Sequence, residues 1–211
     1  MTQARDGASR VTDPPFPPMY RRVLGLLVSL GLTACVLAPG SAGPTRILLF
    51  DGSVQIAAPP GYCVITDKST QTADSAVVLI GRCQDGALAK AAVVTVTVGA
   101  PGSAAVLAAG GDALAAFFTS PAGRATLAPS GRANDVAVSK AVMAGADFLI
   151  LLTDRQNGSY WRAITALKGR LVTVSALGTD AAPLAPEDSR DLLNAALLAL
   201  HRANPAPSLP G

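Results

Sequence analysis

Short runs rich in apolar and β-branched residues dominate the second half of the chain. Four such runs follow one another, at residues 135–143, 148–153, 160–167 and 171–177. Runs of this length between turn residues are typical of strands. The connections between the runs, among them residues 156–159 and 168–169, are too short for parallel crossovers. The pattern therefore predicts an antiparallel meander of four strands.

Strands are also predicted in the first hundred residues. Residues 46–50 and 53–57 flank Asp51-Gly52, a dipeptide that favours a two-residue hairpin turn because both of its positions tolerate positive φ. Residues 91–98, in which valines are interspersed with threonines, form a further predicted strand. The first half of the chain is thus expected to add strands to the same sheet.

Two regions have the chemistry of helices. In the first, residues 104–127, we expect Asp112 to cap one helix and Ser120 to cap a second helix that has Pro121 at its first position. The second region, residues 186–203, has acidic residues in its first turn and basic residues in its last, which favours the helix macrodipole. Both regions are predicted to pack an apolar face on the sheet.

The order of these elements defines a fold class. Three to five strands, a helical region, the meander and a terminal helix predict an α+β domain over residues 45–204, an antiparallel sheet with two helical regions packed on it. This order resembles that of the PsbP-like proteins, which include small bacterial lipoproteins. The resemblance rests on element order and implies an accessory or binding role rather than catalysis.

The N-terminal segment has the composition of an export signal. A polar, proline-rich stretch is followed by Arg21-Arg22 and then by the apolar residues 23–32, a length typical of a signal-peptide core and too short to span a bilayer. Met1 and Met19 are both candidate starts. The sequence therefore predicts export from the cytoplasm.

The apolar segment ends in Leu32-Thr33-Ala34-Cys35, which resembles the lipobox of bacterial lipoproteins. In that family a peptidase cuts before the cysteine, which is then acylated. The resemblance implies lipidation of Cys35 and, since Val36 follows instead of an aspartate, anchoring on the periplasmic side of the outer membrane. An ordinary signal peptide cut after Ala42, which leaves a soluble periplasmic protein, is the alternative. Segments near residues 59–63 and 81–83 are also similar to those of exported bacterial proteins.

Most of the net positive charge belongs to this leader. The chain of 211 residues has a net charge of +3, and removal of the residues before Cys35 leaves 13 basic and 12 acidic groups. The body has no basic stripe of the kind that phosphate neutralisation requires, so nucleic acid is not an expected partner. The predicted organisation is a leader over 1–35, a linker over 36–44, the domain over 45–204 and a disordered tail over 205–211.

Two cysteines lie beyond the lipobox, an even number in an oxidising compartment. Cys63 lies in the apolar, β-branched run 62–66, and Cys83 directly follows a second such run, 77–82. The polar stretch 67–75 between the two runs is typical of a turn. Their midpoint lies in this turn, so a symmetric hairpin places the two sulfurs opposite each other. We expect a cross-strand disulfide, with two free buried thiols as the alternative.

Few residues have the spacing of a reactive centre. His201 is the single histidine and is expected to face the helix dipole at the surface, so neither a metal nor another cofactor is predicted. Asp147 and Asp154 flank one strand, and the three acids of the last helix share its first two turns. These carboxylates leave a small periplasmic hydrolase as an alternative function, which requires two acids to converge in a cleft.

The candidate binding residues are Tyr160, Trp161 and Arg162, a close group of two aromatics and an arginine. Residues of these types dominate binding hot spots. In a strand, Trp161 faces opposite to Tyr160 and Arg162, so one side is expected to belong to the core, and a structural role for all three stays open. The sequence predicts an exported envelope accessory or binding protein with a membrane anchor and a protein or small ligand as partner.

Overall fold

The computed structural model describes residues 43–84 and 88–205. The leader with Cys35, most of the linker and the tail from residue 206 lie outside the described residues. The chain divides at residues 38 and 39 into two compact units, and all the described elements belong to the second, Pro39–Gly211. Because this unit contains its own hydrophobic core, we expect residues 39–211 to fold without the leader.

Eight strands form one antiparallel sheet, and two more form a separate hairpin. The strands are β1 (Arg46–Leu49), β2 (Val54–Ala57), β3 (Tyr62–Val64), β4 (Thr70–Gln71), β5 (Ala76–Arg82), β6 (Ala92–Pro101), β7 (Val136–Ala144), β8 (Asp147–Asp154), β9 (Gly158–Leu167) and β10 (Arg170–Gly178). Their order in the sheet is β3-β5-β6-β10-β9-β8-β7, with β4 also paired to β5. The predicted α+β class and the four-stranded meander, β7 to β10, are confirmed.

Three α-helices, α1 (Gly111–Thr119), α2 (Pro121–Leu127) and α3 (Pro186–Ala203), and three 3₁₀ helices, Thr66–Lys68, Ser103–Ala109 and Ala133–Asp135, complete the described fold. The Ser120 cap is confirmed, since its side chain accepts a hydrogen bond from the backbone of Gly123 at 3.2 Å. The prediction that Asp112 caps α1 is wrong. The cap position belongs to Gly110, whose φ of 84° favours glycine, and Asp112 lies inside the first turn.

Each face of the sheet carries its own hydrophobic cluster. The first face packs against α3 and the β1–β2 hairpin, with Leu193 and Leu200 of α3 fully buried over the valines of β5, β6 and β10. The second face packs against α1 and α2 over strands β7 to β9, around Phe148 and Leu114. The central strands β8 and β9 are therefore buried on both faces, which explains the nearly continuous apolar run of β8.

Two predicted turns differ in detail from the structure. The β1–β2 connection has four residues rather than two, because Phe50 also adopts positive φ, at 52°. The stretch 67–75 contains a single 3₁₀ turn, Thr66–Lys68, and the short strand β4, so the chain reverses only at residues 72–75. There the Thr72 hydroxyl accepts from the backbone of Ser75 at 3.1 Å.

Cys63 and Cys83 form a disulfide, with their Cα atoms 5.1 Å apart. The alternative of two free thiols is wrong, and so is the symmetric hairpin. Cys63 lies opposite Gly81, and the backbone of Cys83 donates to Gly61 at 3.0 Å. The 3₁₀ turn adds three residues between β3 and β4 that have no counterpart on β5. This shifts the register, so the disulfide joins residues that are diagonal neighbours and not directly opposite each other.

Ser189 joins α3 to the sheet at a fully buried position. Its hydroxyl accepts from the backbone N–H of Trp161 and donates to the carbonyl of Ala176, both at 2.8 Å. Trp161 and Ala176 are directly opposite each other at the end of the β9–β10 ladder. The serine hydroxyl thus takes the place of a backbone hydrogen bond between these strands.

We expect Ser189→Ala to lower the free energy of unfolding by about 2 kcal/mol, because it leaves a buried N–H and a buried C=O without their partner. Chemical denaturation of this variant beside Ser53→Ala, a loss of an exposed hydroxyl in the β1–β2 turn, measures the effect. Equal stability of the two variants would contradict the assigned role.

Candidate functional site

The predicted group on β9 is divided between the two faces of the sheet. Trp161 is buried in the first cluster beneath α3, and the guanidinium carbon of Arg190 lies 4.3 Å from the centre of its ring. Tyr160 is buried in the second cluster, with 3% of its surface exposed. The structure therefore places both aromatic rings in the core, and of the three residues Arg162 alone is half-buried.

Two neutral hydroxyls hold the Arg162 guanidinium. Its Nε donates to Ser175 Oγ at 2.8 Å, and its Nη2 donates to Tyr160 Oη at 3.3 Å. No carboxylate of residues 43–84 and 88–205 forms a salt bridge with it. The group is a cation that forms no salt bridge with a described carboxylate, and Asp154 acts on the cluster through the Tyr160 hydroxyl.

The Tyr160 hydroxyl does not supply a negative charge to the Arg162 guanidinium. Burial raises the pKa of the Tyr160 hydroxyl to about 12, against the effect of Arg162 and with a further contribution from Asp154. The phenol is therefore protonated at neutral pH. It acts as a polar support for the guanidinium and not as a counter-ion.

A row of side chains extends from Arg162 across the second face of the sheet. Strand pairing places Arg162 opposite Ser175, Ser175 opposite Thr95, and Thr95 opposite Leu79. Thr95 and Leu79 are half-buried, and Val77 beside them is 36% exposed. We call Arg162, Ser175, Thr95, Leu79 and Val77 the open sheet face, since all but the buried Ser175 are half-buried or exposed and combine one cation, a hydroxyl and apolar groups.

Three cavities lie elsewhere among the described residues. The first, of about 500 Å³, is lined by β1, β2, β3 and the end of α3, and the second, of about 600 Å³, includes Lys168 and His201. The third, of about 230 Å³, includes Asp135 and Asp154. None of these three is lined by Tyr160 or Arg162.

The acids singled out in the sequence are far apart. Asp147 and Asp154 lie at opposite ends of β8. Seven residue steps of an extended strand separate them by about 23 Å. Asp154 accepts from the backbone of Gln156 at 2.9 Å and from the side chain of Asn157, which fixes it in the β8–β9 turn. These two carboxylates do not converge on one substrate.

Asp135 is the acid that shares a cavity with Asp154. The hydrogen bond from Ser130 lowers the pKa of Asp135 below its ordinary value of 3.8, and Arg132 and Arg155 act in the same direction. A general acid for hydrolysis needs a raised pKa so that it carries a proton near neutral pH. Asp135 therefore stabilises an ion-paired turn and is not suited to act as a proton donor.

His201 has a partner that the sequence did not predict. Its Nε2 lies 3.0 Å from Asp147 Oδ1, which connects the last turn of α3 to the start of β8. The two residues are 54 positions apart, so no local pattern indicates the contact. Within the described residues, no group of three or more histidine, cysteine, aspartate or glutamate side chains is arranged to hold a metal ion.

Comparison of the chain with protein-family models, with curated proteins and with solved structures finds no match. In the part of the chain that the structure describes, no helix has both the length and the apolar character needed to cross a membrane. The similarity to PsbP-like proteins therefore stays a prediction from element order, and the site must be interpreted from its own chemistry.

Proposed function

We propose that the chain is an exported accessory protein of the bacterial envelope, anchored by a lipid on Cys35 at the periplasmic side of the outer membrane. It binds a partner protein at the open sheet face and performs no catalytic step. The observation that carries this proposal is the half-buried Arg162 guanidinium, which two neutral hydroxyls position and with which no described carboxylate forms a salt bridge.

The disulfide supports the compartment. Cys63 and Cys83 are both buried and bonded, and bonds of this kind persist in secreted and periplasmic proteins and are rare in the cytosol. The bridge joins the edge strand β3 to the end of β5. Export thus supplies the oxidising conditions in which the disulfide at this edge of the sheet forms and persists.

The chemistry of the open sheet face defines the partner. A planar guanidinium with unused donors matches a carboxylate in two parallel hydrogen bonds. Val77 and Leu79, three strands away on the same face, add apolar surface and favour a partner segment that has apolar residues as well as an acidic one. We therefore expect an acidic-apolar peptide segment of another envelope protein to occupy this face.

Crosslinking in cells tests the proposal. A photoreactive residue at Thr95 is expected to capture one protein, identified by mass spectrometry, while the same residue at Asn194, on the solvent side of α3, captures none of it. Arg162→Gln is expected to weaken binding of the captured partner about tenfold, the size of one charged hydrogen bond. Arg155→Gln, in the exposed β8–β9 turn, is the matched control.

Two results would oppose the proposal. If the Thr95 and Asn194 positions give the same crosslinks, the open sheet face has no specific partner. If Arg162→Gln and Arg155→Gln bind the captured protein equally well, the guanidinium is not the recognition element. Mass spectrometry of the processed N-terminus in the same cells reports separately whether Cys35 is acylated.

A further inference from the structure

One of the three cavities lies where the described chain begins. The cavity of about 500 Å³ is bounded by Arg46 of β1, the Pro59–Gly61 segment before β3, Tyr62, and Arg202 in the last turn of α3. The rest of its wall consists of Thr45, Cys83 and alanines from the end of β2 and from α3. It is thus a mainly apolar concavity with two guanidinium groups at its border.

The cavity carries positive charge without an acid among its described lining residues. Neither arginine forms a salt bridge within the described chain, and both are exposed. The segments that build this end of the molecule, residues 43–50, 52–66 and 192–205, contain no aspartate or glutamate. This end therefore presents a positive potential to solvent and favours an anionic partner.

Exposed leucines accompany both arginines. Leu48 is 63% exposed and, two residues after Arg46 on β1, points to the same side of that strand. Leu198 is 50% exposed and precedes Arg202 by one helical turn. An arginine beside an exposed leucine is the combination that a lipid–water interface accommodates, because the leucine contacts acyl chains and the guanidinium contacts headgroups.

The number of residues between Cys35 and the first described residue limits the distance between the cavity and a lipid anchor on Cys35. Gly43 is the first described residue, and eight residue steps connect it to Cys35. Fully extended, these steps span at most about 30 Å. A lipid on Cys35 would therefore hold the cavity within that distance of the bilayer surface, so anionic lipid headgroups are the anions at highest local concentration.

We propose that the cavity bordered by Arg46 and Arg202 docks on anionic phospholipid headgroups of the membrane that anchors the chain. This inference rests on the proposed lipid anchor at Cys35 for its choice of occupant. The docked orientation turns the opposite edge of the sheet, at β7, away from the bilayer. Anchor and cavity then act as two linked contacts with one membrane.

Vesicle binding by residues 39–211, which contain the complete core and lack the leader and Cys35, tests the inference. We expect sedimentation with vesicles of phosphatidylcholine and phosphatidylglycerol in equal parts, and not with phosphatidylcholine alone. Binding should weaken as salt is raised. Arg46→Gln with Arg202→Gln should weaken it about 30-fold, from roughly 1 kcal/mol for each arginine at an anionic surface.

The matched control is Lys140→Gln with Arg155→Gln, which removes two positive charges from the β7 edge and the adjoining turn. Equal loss in the two double variants would overturn the inference, since net charge alone would then explain binding. Stabilisation of the protein by inorganic phosphate without vesicle binding would overturn it in favour of a free anion. Because the tested chain lacks Cys35, these outcomes are independent of whether cells acylate that residue.

Discussion

Removal of the Cys63–Cys83 bond, by Cys63→Ala with Cys83→Ala, is expected to lower the free energy of unfolding by about 3 kcal/mol. The bridge closes a loop across a sequence separation of 20. Its loss enlarges the ensemble of unfolded conformations, which is the main source of the effect in the chain-entropy model. For a domain of this size, that loss is a large part of the total stability.

The edge of the sheet should respond most. β3 contributes only three residues, and among the described strands of the sheet it pairs with β5 alone. Without the bridge, backbone amides of β3 should exchange with solvent faster than those of β10, which lies between β6 and β9. Such an edge strand is also a template for aggregation when it opens.

Chemical denaturation of the oxidised chain and of the double alanine variant measures the global effect. The dependence of stability on denaturant should also increase in the variant, since its unfolded state exposes more surface. Cys35→Ser is the control for loss of a cysteine outside the described fold. If the double alanine variant matches the oxidised chain in stability and in β3 exchange, the bridge does not stabilise the fold.

The sequence predicted those elements that are encoded by local patterns. Short apolar runs joined by short turns in the second half of the chain predict the meander, and the two-residue period of a strand places Trp161 on the face opposite to Tyr160 and Arg162. The cysteine pair was predicted from number and position. Its register was not, because the 3₁₀ turn at Thr66–Lys68 has no pattern that distinguishes it from an ordinary loop.

Contacts between distant residues could not be predicted from the sequence. Ser175 reaches Arg162 across 13 positions, and Asn204 bonds both backbone groups of Gln55 across 149. Such partners depend on how elements pack and not on local propensity, so the site was located on β9 but its hydroxyl supports were not. The aromatic rings of Trp161 and Tyr160, which are of the residue types found in binding hot spots, are instead buried in two separate hydrophobic clusters.

Arg170 is a buried charge that no sequence pattern singled out. It is 8% exposed, and its Nη1 donates to the carbonyls of Asp74 at 2.7 Å and Gly99 at 2.9 Å. Its guanidinium carbon lies 3.9 Å from the centre of the Phe50 ring. One side chain thus joins the β4–β5 turn, the end of β6 and the β1–β2 turn.

We expect Arg170→Met to lower the free energy of unfolding by about 4 kcal/mol. The change keeps apolar contact with Phe50 but removes two charged hydrogen bonds, each worth about 1.5–3 kcal/mol, and a desolvated cation–π contact. Arg170→Lys should recover only part of this, since an ammonium cannot reproduce the planar fork of a guanidinium.

Denaturation of both variants beside Arg155→Met, a change at an exposed arginine, measures these effects. A buried guanidinium costs desolvation energy, so replacement by a well-packed apolar residue is neutral where the hydrogen bonds only offset that cost. If Arg170→Met is as stable as Arg155→Met, the hydrogen bonds of Arg170 only offset the cost of desolvating its guanidinium. The loss we expect would instead show that the carbonyls of Asp74 and Gly99 depend on the hydrogen bonds that Arg170 donates.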